Sequence, residues 1–226
     1  MLNDKKLERV AKLSYENALR LHRDAISLYK LKSFPSAFYL SVLSQEEIGK
    51  MHMSIRFLTL DWDSDVERRE FFLKLDETLL YGLYKHSLKH SAFLRNSPLE
   101  KFSMHGWKMM EKISNGSLET KKQNSVYVGL NKTRGKINLN GAIRNPFSVT
   151  KGQASLQITK INDYLLVVGI GIRFENLAVE NEYVEQRMKN RGMLRSLNKK
   201  WKRMGRKAAK LIRLYQQYFN EEVLAL

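Results

Sequence analysis

The stretch SVLSQEEIGKMHM, residues 41–53, places charged residues in the middle of an apolar segment. Apolar side chains flank it in both directions, which predicts a helix over 34–58 that is apolar nearly all round. Such a helix is buried on more than one side, either at the centre of a bundle or in a subunit interface. Glu46, Glu47 and Lys50 therefore need partners, because an ionised carboxylate is costly to bury alone.

The segments on either side of this helix are also predicted to be mainly helical. Small and apolar residues recur every three or four positions over 5–31, as in an amphipathic helix. A third helix is expected to follow the acidic break at 61–65 and to reach about residue 95. A shorter helix should end at Asn115-Gly116. For residues 156–190 both helix and strand fit the pattern, and helix is favoured.

We therefore predict a single, mainly α domain over 1–226, in which residues 1–116 form a helical bundle core. Residues 117–155 are rich in Gly and Asn, and they are interpreted as an insertion of irregular structure and short β-strands. Residues 156–226 are assigned to C-terminal helices, including a long basic amphipathic helix over 192–220.

The positive charge is concentrated near the C-terminus. The net charge is +17, and residues 187–213 hold 12 of the 40 Lys and Arg but none of the 23 Asp and Glu. Such a segment indicates a polyanionic partner, either nucleic acid or an acidic membrane surface. We favour RNA and expect no stable membrane association. The predicted nucleic-acid-binding residues are Lys199, Lys200, Lys202, Arg203, Arg206, Lys207, Lys210 and Arg213.

Composition excludes several classes of protein. The chain has no cysteine, so disulfide scaffolds and thiolate metal sites are excluded. Its opening residues lack the apolar core of a signal peptide, and its longest aliphatic run, 165–172, is too short to span a bilayer. These features predict a cytoplasmic protein.

The charged residues of the third helix are the candidate partners of QEEIGK. Glu46 and Lys50 have the spacing of a pair on one helix, whereas Glu47 should meet a cation from another helix. Two interpretations remain open: a buried network that fixes helix register, or a site that cleaves RNA. In the second, a histidine transfers protons and a cation holds the phosphate, and the 2′-hydroxyl of RNA is the nucleophile. The candidates are His86 or His90 for the proton, and Lys50, Lys89 or Arg95 for the phosphate.

Such a site needs no metal and no cofactor. His86 and His90 have a spacing that can bind zinc, but the Glu of an H-E-x-x-H motif is absent between them. We therefore expect neither a metal ion nor another cofactor.

Three segments resemble the AbiV-type abortive infection proteins of bacteria. Residues 16–50, ending in E-E-x-G-K, resemble the opening of that family. The H-x-x-K of His86 and Lys89 and the extended stretch KQNSVYVGL, 122–130, resemble later family features. The resemblance extends over roughly the first 130 residues.

The resemblance implies phage defence by arrest of translation, and a HEPN-like helical bundle. Many HEPN domains are metal-independent endoribonucleases whose site forms at a homodimer interface. Their R-x4-H signature is absent here, although Lys85 and His90 have its spacing. The resemblance implies that Glu47, Lys50, His86 and Lys89 form the family's own polar constellation. Together with Glu46 and His90, these four residues are the predicted catalytic residues.

The favoured function is an abortive-infection effector that cleaves tRNA or rRNA once a phage product triggers it. Glu46 or Glu47 would then orient the catalytic groups. The expected partners are RNA, free or on the ribosome, a phage-encoded activator protein and a second copy of the chain. The alternative is a non-catalytic inhibitor that binds RNA, the ribosome or a phage protein and blocks translation by occupancy. In that alternative the QEEIGK cluster is structural.

Overall fold

The computed structural model describes residues 4–58, 83–97, 104–130, 132–133, 136–141 and 143–167. Six α-helices lie in this part of the chain, together with four short strands. The helices are α1 (Asp4–Lys30), α2 (Phe34–Leu58), α3 (His86–Arg95), α4 (Met104–Ser114), α5 (Ser117–Asn124) and α6 (Lys151–Val167). The mainly helical fold predicted from the sequence is thereby confirmed.

A three-residue turn folds α2 back on α1. The amide of Ser33 donates to the carbonyl of Leu28, and the amide of Lys32 donates to the carbonyl of Tyr29. This is the hydrogen-bond pattern of a Schellman cap, in which one residue takes the left-handed conformation. That residue is Lys32, with φ of 63°. Glycine is favoured at such a position because it has no Cβ, so the lysine side chain is held there at a conformational cost.

Helix α2 lies at the centre of the bundle. It packs extensively against α1, α3 and α6. Its side chains Phe38, Val42, Ile48 and Met51 are all at most 4% exposed. The prediction that α2 is buried on more than one side is confirmed, and contacts within the chain account for it. The apolar character of α2 therefore no longer argues for a dimer, which stays a prediction based on the family resemblance.

Helix boundaries follow the predictions for α1, α2 and the end of α4. Gly116, with φ of 73°, follows α4 as expected for a helix-terminating glycine. The third helix was predicted to run without a break to about 95, and that prediction is wrong at its end. Residues 83–84 are helical, Lys85 is extended, and α3 begins afresh at His86. The start of the predicted third helix lies outside the described residues.

The predicted insertion over 117–155 is partly helical. Helix α5 occupies its first residues and α6 begins at Lys151, so the irregular part is shorter than expected. Strand β1 (Gly129–Leu130) pairs antiparallel with β4 (Ile143–Arg144), and β2 (Lys132–Thr133) pairs with β3 (Lys136–Ile137). A short 3₁₀ helix, Pro146–Ser148, leads into α6. The short strands are as predicted.

Two further predictions concern segments that the structure describes only in part or not at all. Helix was favoured over strand for 156–190, and the described part of that range, up to Val167, is helical. The basic helix predicted over 192–220 lies outside the described residues, and so do its eight cations. Among the described residues, no helix is both long and apolar enough to cross a membrane.

Candidate functional site

The centre of the candidate site is Glu46, which is 2% exposed. One carboxylate oxygen, Oε2, lies 2.6 Å from His86 Nδ1 and 3.0 Å from Lys89 Nζ. The other, Oε1, lies 2.8 Å from Lys122 Nζ and 3.4 Å from His90 Nε2. A single buried carboxylate of α2 thus faces four basic side chains, which come from α3 and α5. We call these five residues the Glu46 cluster.

The close approach of α2 and α3 depends on Gly49. A Cβ atom added to Gly49 would lie 1.9 Å from the carbonyl oxygen of Lys89. Real Cβ atoms essentially never come within 3.0 Å of such an atom. The glycine therefore lets the backbone of α3 pass directly over α2, which brings Lys89 and His90 within reach of Glu46.

Lys122 bridges the Glu46 carboxylate and a second carboxylate outside the cluster, that of Glu119. Its ammonium nitrogen lies 2.8 Å from Glu46 Oε1 and 2.7 Å from Glu119 Oε2. Glu46, His86 and Glu119 present ligand atoms within 4.8 Å of one another, a spacing that could hold a metal ion. The Lys122 ammonium contacts all three residues, since it also lies 3.3 Å from His86 Nδ1. A positive charge built into the chain therefore occupies the place that a metal would take.

The hydrogen bonds determine which ring nitrogen of His90 carries the proton. Gln157 Nε2 donates to Gln45 Oε1 at 2.7 Å, which leaves the Gln45 amide nitrogen to donate to His90 Nδ1 at 2.9 Å. Since His90 Nδ1 accepts, the proton of a neutral ring is on Nε2, which faces Glu46. His90 itself is 2% exposed, so its ring is out of reach of a large substrate.

His86 has the opposite arrangement. Its Nδ1 lies 2.6 Å from an oxygen of the Glu46 carboxylate, so Nδ1 must carry a proton and donate it. The lone pair of a neutral His86 ring is then on Nε2, on the far side from Glu46. The side chain is 48% exposed, whereas Glu46 is buried. The ring is therefore both oriented by a buried carboxylate and open to solvent.

Burial and charge act in opposite directions on the two buried ionic groups. Burial alone would raise the pKa of Glu46, but the facing His90 and Lys122 hold that pKa well below its usual range. Burial alone would lower the pKa of Lys122, but its hydrogen bonds to Glu119 and Glu46 raise that pKa instead. The carboxylate and the ammonium are both charged at neutral pH.

The structure brings four of the predicted site residues together: Glu46, His86, Lys89 and His90. The other two form a separate pair, in which Lys50 Nζ lies 2.8 Å from Glu47 Oε1. The expected bond between Glu46 and Lys50 is therefore wrong, because Lys50 bonds Glu47 one position along the helix. The expectation that Glu47 meets a cation from another helix is wrong for the same reason; Glu46 is the carboxylate that does so.

Sequence reasoning missed Lys122, Glu119, Gln45 and Gln157. Lys122 and Glu119 were assigned to an irregular insertion, where no contact with α2 was expected. A signal was nevertheless present, because the family-like stretch KQNSVYVGL begins at Lys122 and the stretch QEEIGK begins at Gln45. Arg95, a candidate phosphate ligand, is exposed at the end of α3.

Comparison with known proteins identifies one family. The family model HEPN_AbiV, described as AbiV, matches residues 6–166. The match includes every residue of the Glu46 cluster. No curated protein and no solved structure matches the chain significantly.

Proposed function

The chain belongs to the HEPN_AbiV family, whose name indicates abortive infection in phage defence, and we propose that it acts there as a metal-independent endoribonuclease. The observation that carries the proposal is the geometry of His86. Its Nδ1 is held by the buried Glu46 carboxylate, while the rest of the ring is open to solvent. A carboxylate that orients a histidine is a recurring device of acid–base catalysis.

In the proposed reaction, Nε2 of His86 accepts the proton of the RNA 2′-hydroxyl. The 2′-oxygen attacks the adjacent phosphorus, the bond to the 5′-oxygen breaks, and a proton from solvent completes the new 5′-hydroxyl. The products are a 2′,3′-cyclic phosphate and a 5′-hydroxyl end. Glu46 stabilises the imidazolium that forms, because its carboxylate lies 2.6 Å from Nδ1.

The positive groups of the Glu46 cluster would stabilise the phosphate through their electrostatic field rather than by direct contact, because Lys89 and Lys122 are buried like His90. Lys89 and Lys122 both lie within 3.0 Å of Glu46, and Lys122 also contacts His86. Two ammonium groups beside the proton acceptor suit the negative charge that develops on a phosphoryl centre. His90, which is buried, would orient Glu46 rather than contact RNA. This assignment makes His86 the catalytic histidine and His90 a positioning residue.

We also propose three partners for the nuclease: RNA, a phage-encoded protein and a second copy of the chain. RNA, free or on the ribosome, is the substrate class, and the cations at 199–213 would hold its backbone. A toxic nuclease must be inactive before infection, so a phage-encoded protein is proposed as the activator. A homodimer is proposed by analogy with other HEPN domains.

The test is an analysis of total RNA from cells that express the protein together with its phage trigger. Wild type should yield discrete fragments with cyclic phosphate ends. His86→Ala should abolish them and leave the thermal midpoint of unfolding nearly unchanged, because the ring is half-exposed. Lys89→Ala should reduce cleavage, because it removes a cation of the Glu46 cluster. Its matched control, Lys112→Ala at an exposed lysine of α4, should retain cleavage. Intact RNA under complete translation arrest would refute the nuclease.

One observation favours a second candidate, a non-catalytic inhibitor of translation. The charges of the Glu46 cluster satisfy one another, and Glu46, Lys89 and Lys122 are each at most 6% exposed. Such a network can serve only to fix the register of helices. Under that proposal His86→Ala retains toxicity, whereas charge reversal over 199–210 abolishes it.

A further inference from the structure

A groove lies beside the Glu46 cluster, between the turn that joins α1 to α2 and the segment 125–149. Its volume is about 540 Å³. This is within the range of pockets that hold small organic ligands. Phe34, Tyr39, Leu40, Val126 and Phe147 line it, with Lys32 at the turn. Phe147 is 86% exposed, so one face of its ring is available to a planar ligand.

One wall of the groove is formed by a basic segment of the chain, although Lys122 of that segment is paired with Glu46 and Glu119. From residue 120 to residue 162 the chain holds eight Lys and Arg and no Asp or Glu. Lys32, on the opposite wall, adds a further cation. An aromatic groove with a lysine in its lining and a basic segment as one wall complements a ligand that is both planar and anionic. Nucleotides of single-stranded RNA have both properties, because a base can stack on an aromatic ring while its phosphate meets a cation.

Lys32 is unusual because its backbone conformation disfavours a lysine. Its φ of 63° lies in the left-handed region, where glycine is preferred. Backbone strain of this kind often accompanies a functional side chain. The conformation places the lysine at the groove, although glycine would cap α1 with less strain.

The groove and the Glu46 cluster are connected through α2 and through the end of α5. Leu40 in the groove and Glu46 in the cluster both belong to α2, and six residues of helix span about 9 Å. Ser125, which lines the groove, donates its hydroxyl to the carbonyl of Lys122 at 2.6 Å. The groove therefore lies about 9 Å from the cluster along the axis of α2.

We propose that this groove is a subsite for a nucleotide that flanks the scissile phosphate of single-stranded RNA. The base stacks on Phe147 and the neighbouring phosphate contacts Lys32. The choice of RNA as ligand rests on the proposed nuclease function. Recognition is tolerant of sequence, since stacking uses the face that all bases share.

The test measures the part of RNA affinity that depends on bases. The full chain is titrated with a short single-stranded 2′-O-methyl oligoribonucleotide, which lacks the nucleophile and stays intact. An abasic oligomer with the same number of phosphates is titrated in parallel. Cations elsewhere in the chain bind both oligomers, so the ratio of the two affinities isolates stacking. Wild type should prefer the base-containing oligomer by about fivefold or more.

Two variants assign the preference to the groove. Phe147→Ala should bring the affinity ratio close to one, with little change in folding because the ring is exposed. Lys32→Gly should weaken binding of both oligomers by roughly two- to fivefold, and more strongly at low salt. Because the glycine relieves backbone strain, Lys32→Gly should also raise the thermal midpoint, so unfolding would not explain the lost affinity. Lys5→Ala removes an exposed charge at the other end of α1 and should leave binding unchanged.

The subsite is overturned if wild type binds the two oligomers with nearly equal affinity, or if Phe147→Ala leaves the affinity ratio unchanged. The groove would then serve another ligand, such as an acidic protein. Failure of the nuclease is a separate result. If no RNA is cleaved but the ratio depends on Phe147, the subsite stands without the nuclease. If cleavage requires His86 but Phe147→Ala leaves the ratio unchanged, the nuclease stands without the subsite.

Discussion

Replacement of Gly49 by alanine tests how the Glu46 cluster is assembled. The added Cβ would lie 1.9 Å from the carbonyl oxygen of Lys89, and it needs at least 3.0 Å. The two helices must therefore separate by about 1.1 Å at this point. The obstacle is backbone rather than the end of a flexible side chain, so rotation of a side chain cannot relieve it.

We expect Gly49→Ala to destabilise the fold by about 3 kcal/mol, near the upper end of the usual cost of overpacking. For a chain of this size that corresponds to a thermal midpoint roughly 6–12 °C lower. The displacement also moves Lys89 and its neighbours away from Glu46. A misplacement of about 1 Å can reduce a rate about 100-fold, and RNA cleavage should fall by that order.

Thermal unfolding and RNA cleavage are measured side by side, and Gly152→Ala is the matched control. Gly152 is also helical, and a Cβ there would meet only the Thr150 hydroxyl, at 3.9 Å. Alanine is the better helix former, so the control should leave the midpoint unchanged or raise it. If Gly49→Ala lowered the midpoint no more than Gly152→Ala and retained cleavage, the close approach of α2 and α3 would not be needed for the site.

Three further changes test other parts of the molecule. Lys122→Met should lower the free energy of unfolding in urea by about 3 kcal/mol, because it leaves the buried Glu46 carboxylate without one of its partners. Glu46→Gln in the same chain should recover part of that loss. If the losses of the two substitutions simply added, the pairing would be contradicted. Lys32→Gly should stabilise the fold by about 0.5–1 kcal/mol through relief of the left-handed conformation, and a lower midpoint would contradict the assigned strain. Burial lowers the pKa of His22 from the usual histidine value of 6.5 to about 4. Between these two pH values the unfolded chain binds a proton that the folded chain does not, so stability should decline as the pH falls from 6.5 to 4. In urea unfolding measured across this pH range, His22→Gln should reduce the loss of unfolding free energy by roughly 3 kcal/mol. An unchanged dependence on pH would show that another group is responsible.

Local sequence pattern was sufficient for the helices that pack through regular apolar faces. The bounds of α1 and α2 and the stop at Gly116 followed from periodicity and turn chemistry. The break at Lys85 could not be predicted, because the apolar row runs through it without interruption. Helix α5 was missed because its sequence, SLETKKQN, is polar and carries no apolar stripe.

The candidate site was predictable only in part, for a related reason. Buried charges in QEEIGK showed that cations had to come from elsewhere, and the histidines and lysine of α3 were available candidates. Periodicity could not decide which of Glu46 and Glu47 would meet them, since adjacent helical positions point only about 100° apart. Lys122 lies 76 positions from Glu46, and no local pattern specifies a contact at that separation.

That separation also has a consequence for synthesis of the protein. The carboxylate of Glu46 leaves the ribosome long before the Lys122 ammonium that neutralises it, and Gln157, which orients Gln45, follows later still. Domains are made from the N-terminus onward at about 5–20 residues per second. A nascent chain that ends before Lys122 thus lacks a complete Glu46 cluster, and under the proposed nuclease function it does not cleave the RNA of the ribosome that makes it. Under the same proposal, the order of the residues along the chain delays assembly of the site until Lys122 has been made.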